Sequence, residues 1–360
     1  MAGFRMPAEW EPHRATWISW PHHEPDWPGK LAPIPWVYAE IARVLADHEP
    51  VEILCQSDDV RESARASLEA HAVQCLPERL NGVPSAGRVR LHIVPTDRVW
   101  LRDSAPTGVL DDTGRVVLVN WAFNGWAKYD NWQRDLEVGA AVAQITGLPR
   151  AEPRRRDTGE RIVLEGGGIE TNGDGLLLVT EEWLLSHVQV RNPGLTRADY
   201  EAIFEEWLGV RRTIWLGEGC VGDDTHGHVD DIARFVSRDT IVLAVEDDPR
   251  DENHERSMDN LRRLEAIPPA PGVGPLRIVT LPFPRPVVMN GERLPASYAN
   301  FYIANGAVLV PTFNDSSDRV ALDTIAGLMP SHRVVGIHAV DLVWGLGTLH
   351  CLTQQEPAPR

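Results

Sequence analysis

Short apolar runs alternate with segments of helical spacing along most of the chain. VEILCQ and VRLHIVPT read as buried strands. A helix precedes the first, where Val37, Ile41, Val44 and Leu45 recur at helical spacing from Val37 to Ala46, and VRESARASLEAHA is a second helix between the two strands. The middle keeps this rhythm with the strand RVVLVNWAF, a helix near DLEVGAAVAQITG, and two apolar runs split by NGDG, a hairpin signal, in IVLEGGGIETNGDGLLLVTEEWLL. TRADYEAIFEEWLG predicts a helix opened by a Thr cap with an acidic residue three positions later. TIWLGEG is a strand, and DIARFVSRDTIVLAV a hairpin turning at SRDT. The charged stretch from Asp247 to Leu264 is helical and PPAPGVGP a loop. YANFYIANGAVLVPTF is a hairpin around ANG, DRVALDTIAGLM a helix and RVVGIHAV a strand. The first 36 residues break the pattern: prolines crowd them, each removing a backbone donor and disfavouring helix at the residue before, which predicts an ordered, Trp-rich loop.

The recurring unit is thus a hairpin, a helix and a strand, repeated about five times without a fixed-length sequence repeat. This predicts an α/β fold. No Gly/Ser-rich linker or composition shift divides residues 1–360, so one domain is expected, and a closed ring of such units would be one.

Charge narrows the range of partners. Asp plus Glu number 52 against 35 Lys plus Arg, a formal charge of −17 that repels nucleic acid and anionic membrane and favours cationic ligands. The 13 tryptophans agree, since indole faces hold organic cations well. Cys55, Cys75, Cys220 and Cys351 form no C-x-x-C pair and no disulfide framework. With no apolar stretch of signal or membrane-spanning length, a cytoplasmic location is expected.

Four polar clusters stand out: WLRDSAP, LEGGGIE, DDTHGHVDD and GTLHCLTQQ. Cys351 follows a Gly-punctuated loop and has the polar neighbours His350, Thr353, Gln354 and Gln355, unlike Cys55 and Cys75, which read as packing residues. In DDTHGHVDD, His226, His228 and Asp230 have the alternation of a metal site on one strand face. Without a metal, His228 and Asp230 would share a face as an acid/base imidazole beside a carboxylate. Arg102 and Asp103 could be a surface ion pair of little worth, a reading that Trp100 makes less attractive. Glu165 precedes three glycines, which let other groups approach closely, and the absence of G-K-[ST] argues against nucleotide binding. A thiol, a histidine and several carboxylates suit attack on the carbon of a guanidinium, which two acids can grip by its N–H groups.

These blocks, with MPAEWEPHRATWISWP, FNGWAKYDNW and RNPG, run nearly end to end and resemble the agmatine deiminases, in the family of bacterial-type peptidylarginine deiminases. The resemblance implies a five-bladed, pseudo-symmetric α/β propeller of the pentein type, made by guanidino-group-modifying enzymes, with its site at the centre. It also implies hydrolysis of agmatine to N-carbamoylputrescine and ammonia, a step on the route from arginine to putrescine in polyamine metabolism. Cys351 would be the nucleophile and His228 the general acid and base; Asp103 and Asp230 would hold the guanidinium, and Glu165 would orient His228. Trp100 would pack on the substrate's aliphatic stem, with Trp126 and Asn300 as neighbours. No metal or organic cofactor is implied, and a homodimer follows by analogy. One position departs: His226 stands where an acid is expected two residues before His228, which would matter if that acid meets the substrate's primary amine. The weighed alternatives are a deiminase of free or peptidyl C-terminal arginine with Arg102, Lys128 or Arg134 as carboxylate clamp, an amidinotransferase, and a metal-dependent hydrolase.

Overall fold

The apolar runs become strands in one five-stranded and four three-stranded sheets, seen in a computed structural model that describes residues 3–76, 89–268 and 275–360. The three-stranded sheets share one plan: an antiparallel pair, a helix, then a strand parallel to the second. Thr107–Leu110 and Val116–Val119 are followed by the helix Val138–Thr146 and the strand Arg150–Ala151. The next unit is Glu170–Thr171, Leu176–Thr180, the helix Arg197–Leu208 and Arg212–Leu216. Ala233–Ser237, Thr240–Val245, the helix Asn253–Glu265 and Arg277–Pro282 form the third. Tyr302–Ala304, Ala307–Thr312, the helix Ser317–Leu328 and Arg333–His338 form the fourth.

The five-stranded sheet repeats the plan with strands from opposite ends of the chain. Gln354–Pro357 pairs antiparallel with His13–Ser19; the helix Ile34–Ala46 follows, then Val51–Cys55 runs parallel to His13–Ser19. Val89–Ile93 and Cys75–Leu76 extend its edge. Val51–Cys55, Leu176–Thr180 and Thr240–Val245 are buried at every position, as strands flanked by other elements must be, which is why they read as unbroken apolar runs. Thr196 caps its helix reciprocally with Asp199, as TRADYEAI predicts, satisfying backbone donors that the first turn leaves unpaired.

The N-terminal expectation needs correction. Pro12 and Pro21 bracket HRATWIS rather than break it, so the supposed loop contains the strand His13–Ser19 at the inside of its sheet. The next helix starts at Ile34, three residues earlier than its periodicity suggests, because Pro35 is tolerated in a first turn. The helix expected from Asp247 starts only at Asn253, after a turn. Most of PPAPGVGP lies outside the described residues.

Neighbouring units touch in succession. Gln354–Pro357 packs beside Thr107–Leu110, and a bridge from Ala122 to Val163 joins the next two units. Glu170–Thr171 lies against Ala233–Ser237, the helix Ser317–Leu328 against Arg277–Pro282, and the helix Ile34–Ala46 against Arg333–His338. No helix among the described residues is long and apolar enough to cross a membrane.

Candidate active site

Every unit offers a functional side chain from the same place, the tight turn just before its first strand. Asp103 sits in the short helix Leu101–Ser104, ahead of Thr107. Glu165 caps the 3-10 turn Gly166–Gly168, ahead of Glu170. His228 caps Val229–Asp231, which carries Asp230 and Asp231 and leads into Ala233. Asn300 precedes Tyr302, and Cys351 lies in Leu349–Leu352 before Gln354. A side chain on such a turn is set by the strand behind it, so the group is built on rigid elements.

The thiol is held by Asn300, whose Nδ2 donates to Cys351 Sγ at 3.0 Å and to Asp231 Oδ1 at 2.9 Å. Asn300 is itself fixed: its Oδ1 accepts from Thr348 Oγ1 at 2.8 Å and from the His350 amide at 3.0 Å. Sγ also lies 3.7 Å from Asp230 Oδ2. Burial, then Asp230, Asp231 and Asp103, push the Cys351 thiol well above its ordinary range, against a backbone contact from Thr348. The two adjacent carboxyls differ. Burial raises Asp231 well above the carboxylate range, with Asp230 adding to it, whereas Asp230, despite burial, is held low by His350 and His228. One charge serves both.

His228 stands between two acids, with Nδ1 at 3.7 Å from Asp103 Oδ1 and Nε2 at 3.6 Å from Glu165 Oε2. Burial opposes its charge, but Asp103 and Glu165 outweigh burial and raise it to about 9. Trp183 meets the ring edge-on at 5.6 Å and donates to Glu165 Oε2 at 2.7 Å. Glu165 is buried, yet Arg191 (Nε to Oε1, 3.1 Å) and His228 keep it at about 2. Asp103 goes the other way: burial prevails over His228 and, with Asp230 and Glu165 nearby, lifts it to about 6. Its oxygens accept from Trp126 Nε1 at 2.9 Å and from the Gly167 amide at 3.0 Å. Two polar groups stay unsatisfied here: both ring nitrogens of His228 and Asp230 Oδ1 are buried without a hydrogen-bond partner. At Asp230 Oδ1 this costs free energy that an incoming N–H donor would recover.

A cavity of about 280 Å³ is lined by Cys351, Asp103, Trp100 and Trp126 and extends outward to Asp26, Tyr129, Asp224 and Glu292. Trp100 packs on Trp27 at 5.6 Å and lies so close to Gly347 that a Cβ there would meet its ring at 2.8 Å. Arg98 is the one cation on the lining among the described residues. Its guanidinium is committed to Asp26 at 2.5 Å and Asn131 at 3.2 Å and lies 3.9 Å over the Tyr129 ring.

Several sequence expectations change in detail. DDTHGHVDD is no strand: His226 and Gly227 have φ of 66° and 99°, so alternation fails there. His226 turns away from the cavity to Ser186 Oγ at 2.9 Å and Glu182 Oε1 at 3.8 Å, leaving Asp224 and Thr225 on the lining. The departure at His226 therefore does not reach the cavity. His226, His228 and Asp230 are not gathered as metal ligands; among the described residues Asp230, Asp231 and Cys351 have atoms within 4.8 Å, with Asn300 already bridging two of them. Arg102 is no surface partner of Asp103 but is buried and reaches Glu9 at 3.2 Å and Gln355 at 2.7 Å. Lys128 pairs with Asp224, and Arg134 is exposed beside Asp97 at 3.7 Å. Cys55 is inert packing, its thiol pushed up to about 12 by burial.

The charged groups beneath the site escape local reading. Glu9 accepts from Arg234 Nη2 at 2.7 Å, the Ile303 amide at 2.8 Å and His350 Nε2 at 2.8 Å. Arg234, fully buried, also donates to Glu170 Oε2 at 2.8 Å and to the Phe301 carbonyl. Only long-range pairing marks them, and PAEWEPH or IARF shows no local signal of burial.

Comparison with known proteins places the chain among relatives matched along nearly its whole length. The chain is 36% identical to an agmatine deiminase of Pseudomonas aeruginosa and 35% identical to one of Stutzerimonas stutzeri, covering 99% of this chain and 96% of each relative. Its fold superimposes on the agmatine deiminase of Enterococcus faecalis, shown catalysing its reaction, with a TM-score of 0.87 at 29% identity over 99% of this chain and 96% of that one. The model of the Porphyromonas-type peptidyl-arginine deiminases matches residues 5–357, so that from Arg5 to Pro357, the span that carries every group of the site, the chain belongs to that family.

Proposed function

We propose that this protein hydrolyses agmatine to N-carbamoylputrescine and ammonia through a covalent thiouronium on Cys351. The observation that carries this is the meeting of a thiol, an imidazole and ionisable carboxyls, with Asp230 Oδ1 unpartnered, beside an acid- and Trp-lined cavity that Cys351 and Asp103 reach. Asp103 and Asp230 grip the guanidinium. Its positive charge offsets the carboxylates that hold the thiol protonated, so the thiolate forms in the complex rather than in the free enzyme, its proton passing to solvent. Sγ attacks the guanidinium carbon; His228 gives its proton to the departing nitrogen, the C–N bond breaks and ammonia leaves. His228, now neutral, takes a proton from water as the water adds to the thiouronium carbon; the C–S bond then breaks as the hydroxyl proton of the adduct passes to the departing sulfur, releasing the ureido product and restoring the thiol, while the ammonia leaves as ammonium with the proton shed earlier. Glu165 orients His228 and sustains its charge. Trp100 packs on the aliphatic stem, and Glu292 on the lining suits a chain that ends in a second cation, Asp26 and Asp224 being already paired with Arg98 and Lys128. The five units, touching in succession from first to last, close as the blades of one catalytic propeller domain spanning residues 1–360, and their five turns face its axis.

Ammonia and ureido product should be measured from agmatine, free arginine, a peptide with C-terminal arginine and an agmatine analogue lacking the amine, with and without EDTA. Selective turnover of agmatine that EDTA leaves unchanged is expected. Preference for a carboxylate-bearing substrate would transfer the reading to an arginine deiminase using Arg98, and loss with EDTA would overturn the thiol mechanism.

The same geometry sets the pH profile. Asp103 must be ionised to hold the substrate and His228 protonated to act as acid, so kcat/KM should rise through about 6 and fall through about 9. Trp126 donates to the ionised form of Asp103 and favours it. Trp126→Phe should raise the Asp103 pKa and move the acid limb upward by roughly one pH unit, leaving the alkaline limb in place. An unmoved acid limb would remove Asp103 from control of that limb.

A further inference from the structure

We propose that His350 is a positioning residue, held as an imidazolium between Glu9 and Asp230, which ties down Asp230 Oδ2 and leaves Oδ1 to receive a guanidinium N–H. The inference rests on the deiminase reading and adds to it a residue that never touches the substrate.

Geometry requires the charge. His350 Nδ1 lies 2.6 Å from Asp230 Oδ2 and Nε2 lies 2.8 Å from Glu9 Oε2, so each ring nitrogen faces a carboxylate oxygen. A neutral imidazole has one N–H; its bare nitrogen would oppose an acceptor unless an acid took up a proton. Glu9 has no room for that proton. Both its oxygens already accept from Arg234, Arg102 and the Ile303 amide, and these cations, with His350, hold it well below the carboxylate range against its burial. Asp230 is no better placed to carry it, since, against burial, His350 and His228 hold its carboxyl below the ordinary range, so neither acid facing the ring takes the proton. The Nδ1 contact fixes one oxygen of Asp230, and the backbone at the same residue is fixed from the other side, where the His350 amide donates to Asn300. His350 thus joins the carboxylate that grips the substrate to the turn that carries the nucleophile. Glu9 lies in the Pro-rich segment near the N-terminus, and its buried contacts tie residues 6–9 to the groups beneath the site.

Two measurements test this. In a neutron structure of the wild-type enzyme at neutral pD, deuterium is expected on both ring nitrogens of His350; one bare nitrogen would overturn the proposal, whatever the substrate. In the Cys351→Ser background, agmatine affinity is then compared for His350→Leu and His350→Gln by calorimetry. Leu should weaken binding at least about tenfold, whereas Gln, which can still donate to Asp230, should recover most of the loss. Equal losses in the two variants, or none in either, would overturn it. Failure of the Cys351→Ser parent itself to bind agmatine counts against the proposed substrate instead, and the neutron result still decides the charge.

Discussion

Cys351→Ser is expected to lower kcat by roughly ten-thousand-fold or more while agmatine still binds with an affinity close to the wild-type substrate constant. The replacement keeps the turn Leu349–Leu352 and leaves Asn300 a hydroxyl to contact, so the surroundings stay in place. What it removes is the means of becoming an anion. The thiol is already pushed up by burial and three carboxyls, and only the arriving cation offsets them. A hydroxyl begins several pH units higher still, beyond what one bound cation can supply. Asp103 and Asp230 remain, so binding should survive. Mass spectrometry of the quenched wild-type enzyme should show a covalent adduct at Cys351 that the Ser variant lacks. Turnover by the variant within about a hundredfold of wild type would exclude covalent catalysis by this thiol.

Gly167→Ala should lower kcat/KM by roughly a hundred- to a thousandfold with the fold retained. A Cβ there would lie 2.6 Å from His228 Nδ1, 2.9 Å from Asp103 Oδ1 and 3.1 Å from Asp230 Oδ2, filling the space on which the three groups converge. None can retreat easily. His228 is backed by Trp183, Asp103 is held by Trp126 and Asp230 by His350. The Gly167 amide would still donate to Asp103, and its φ is not left-handed, so the loss comes from the added methyl alone. Overpacking of this kind costs about 1–3 kcal/mol, enough to lower Tm by a few degrees without unfolding the protein. Near-normal activity in a folded Ala variant would mean that the substrate does not use this space.

Much of this arrangement is legible from local pattern, and the parts that are not have physical reasons. Buried parallel strands are apolar throughout, so VEILC and TIVLAV declare themselves, and the caps and turns at TRADYEA, NGDG and ANG are local chemistry. The strand His13–Ser19 is hidden because proline density around it dominates any window that contains it. His226 and Gly227 reverse the chain where the spelling of DDTHGHVDD suggests extension, yet His228 and Asp230 still meet the site because a turn, and not a shared strand face, delivers them. The resemblance of whole blocks singles out Cys351, His228, Glu165, Asp103 and Asp230. Glu9, Arg234 and His350 are a different matter, since a charged residue reads as surface until its counter-charge, hundreds of positions away, is brought beside it.

The pairing of Gln354–Pro357 with His13–Ser19 has a consequence for how activity is acquired. Four repeats draw their strands and helices from neighbouring stretches of chain and can form early, through contacts of low sequence separation. The remaining sheet must close a loop that includes nearly all the others, which places its assembly late in folding. Cys351 sits at the entrance to that last strand. A partly folded chain can therefore hold most of its secondary structure and still have no nucleophile in register with its acids, so that a site able to receive the substrate exists only once the two ends of the chain have paired.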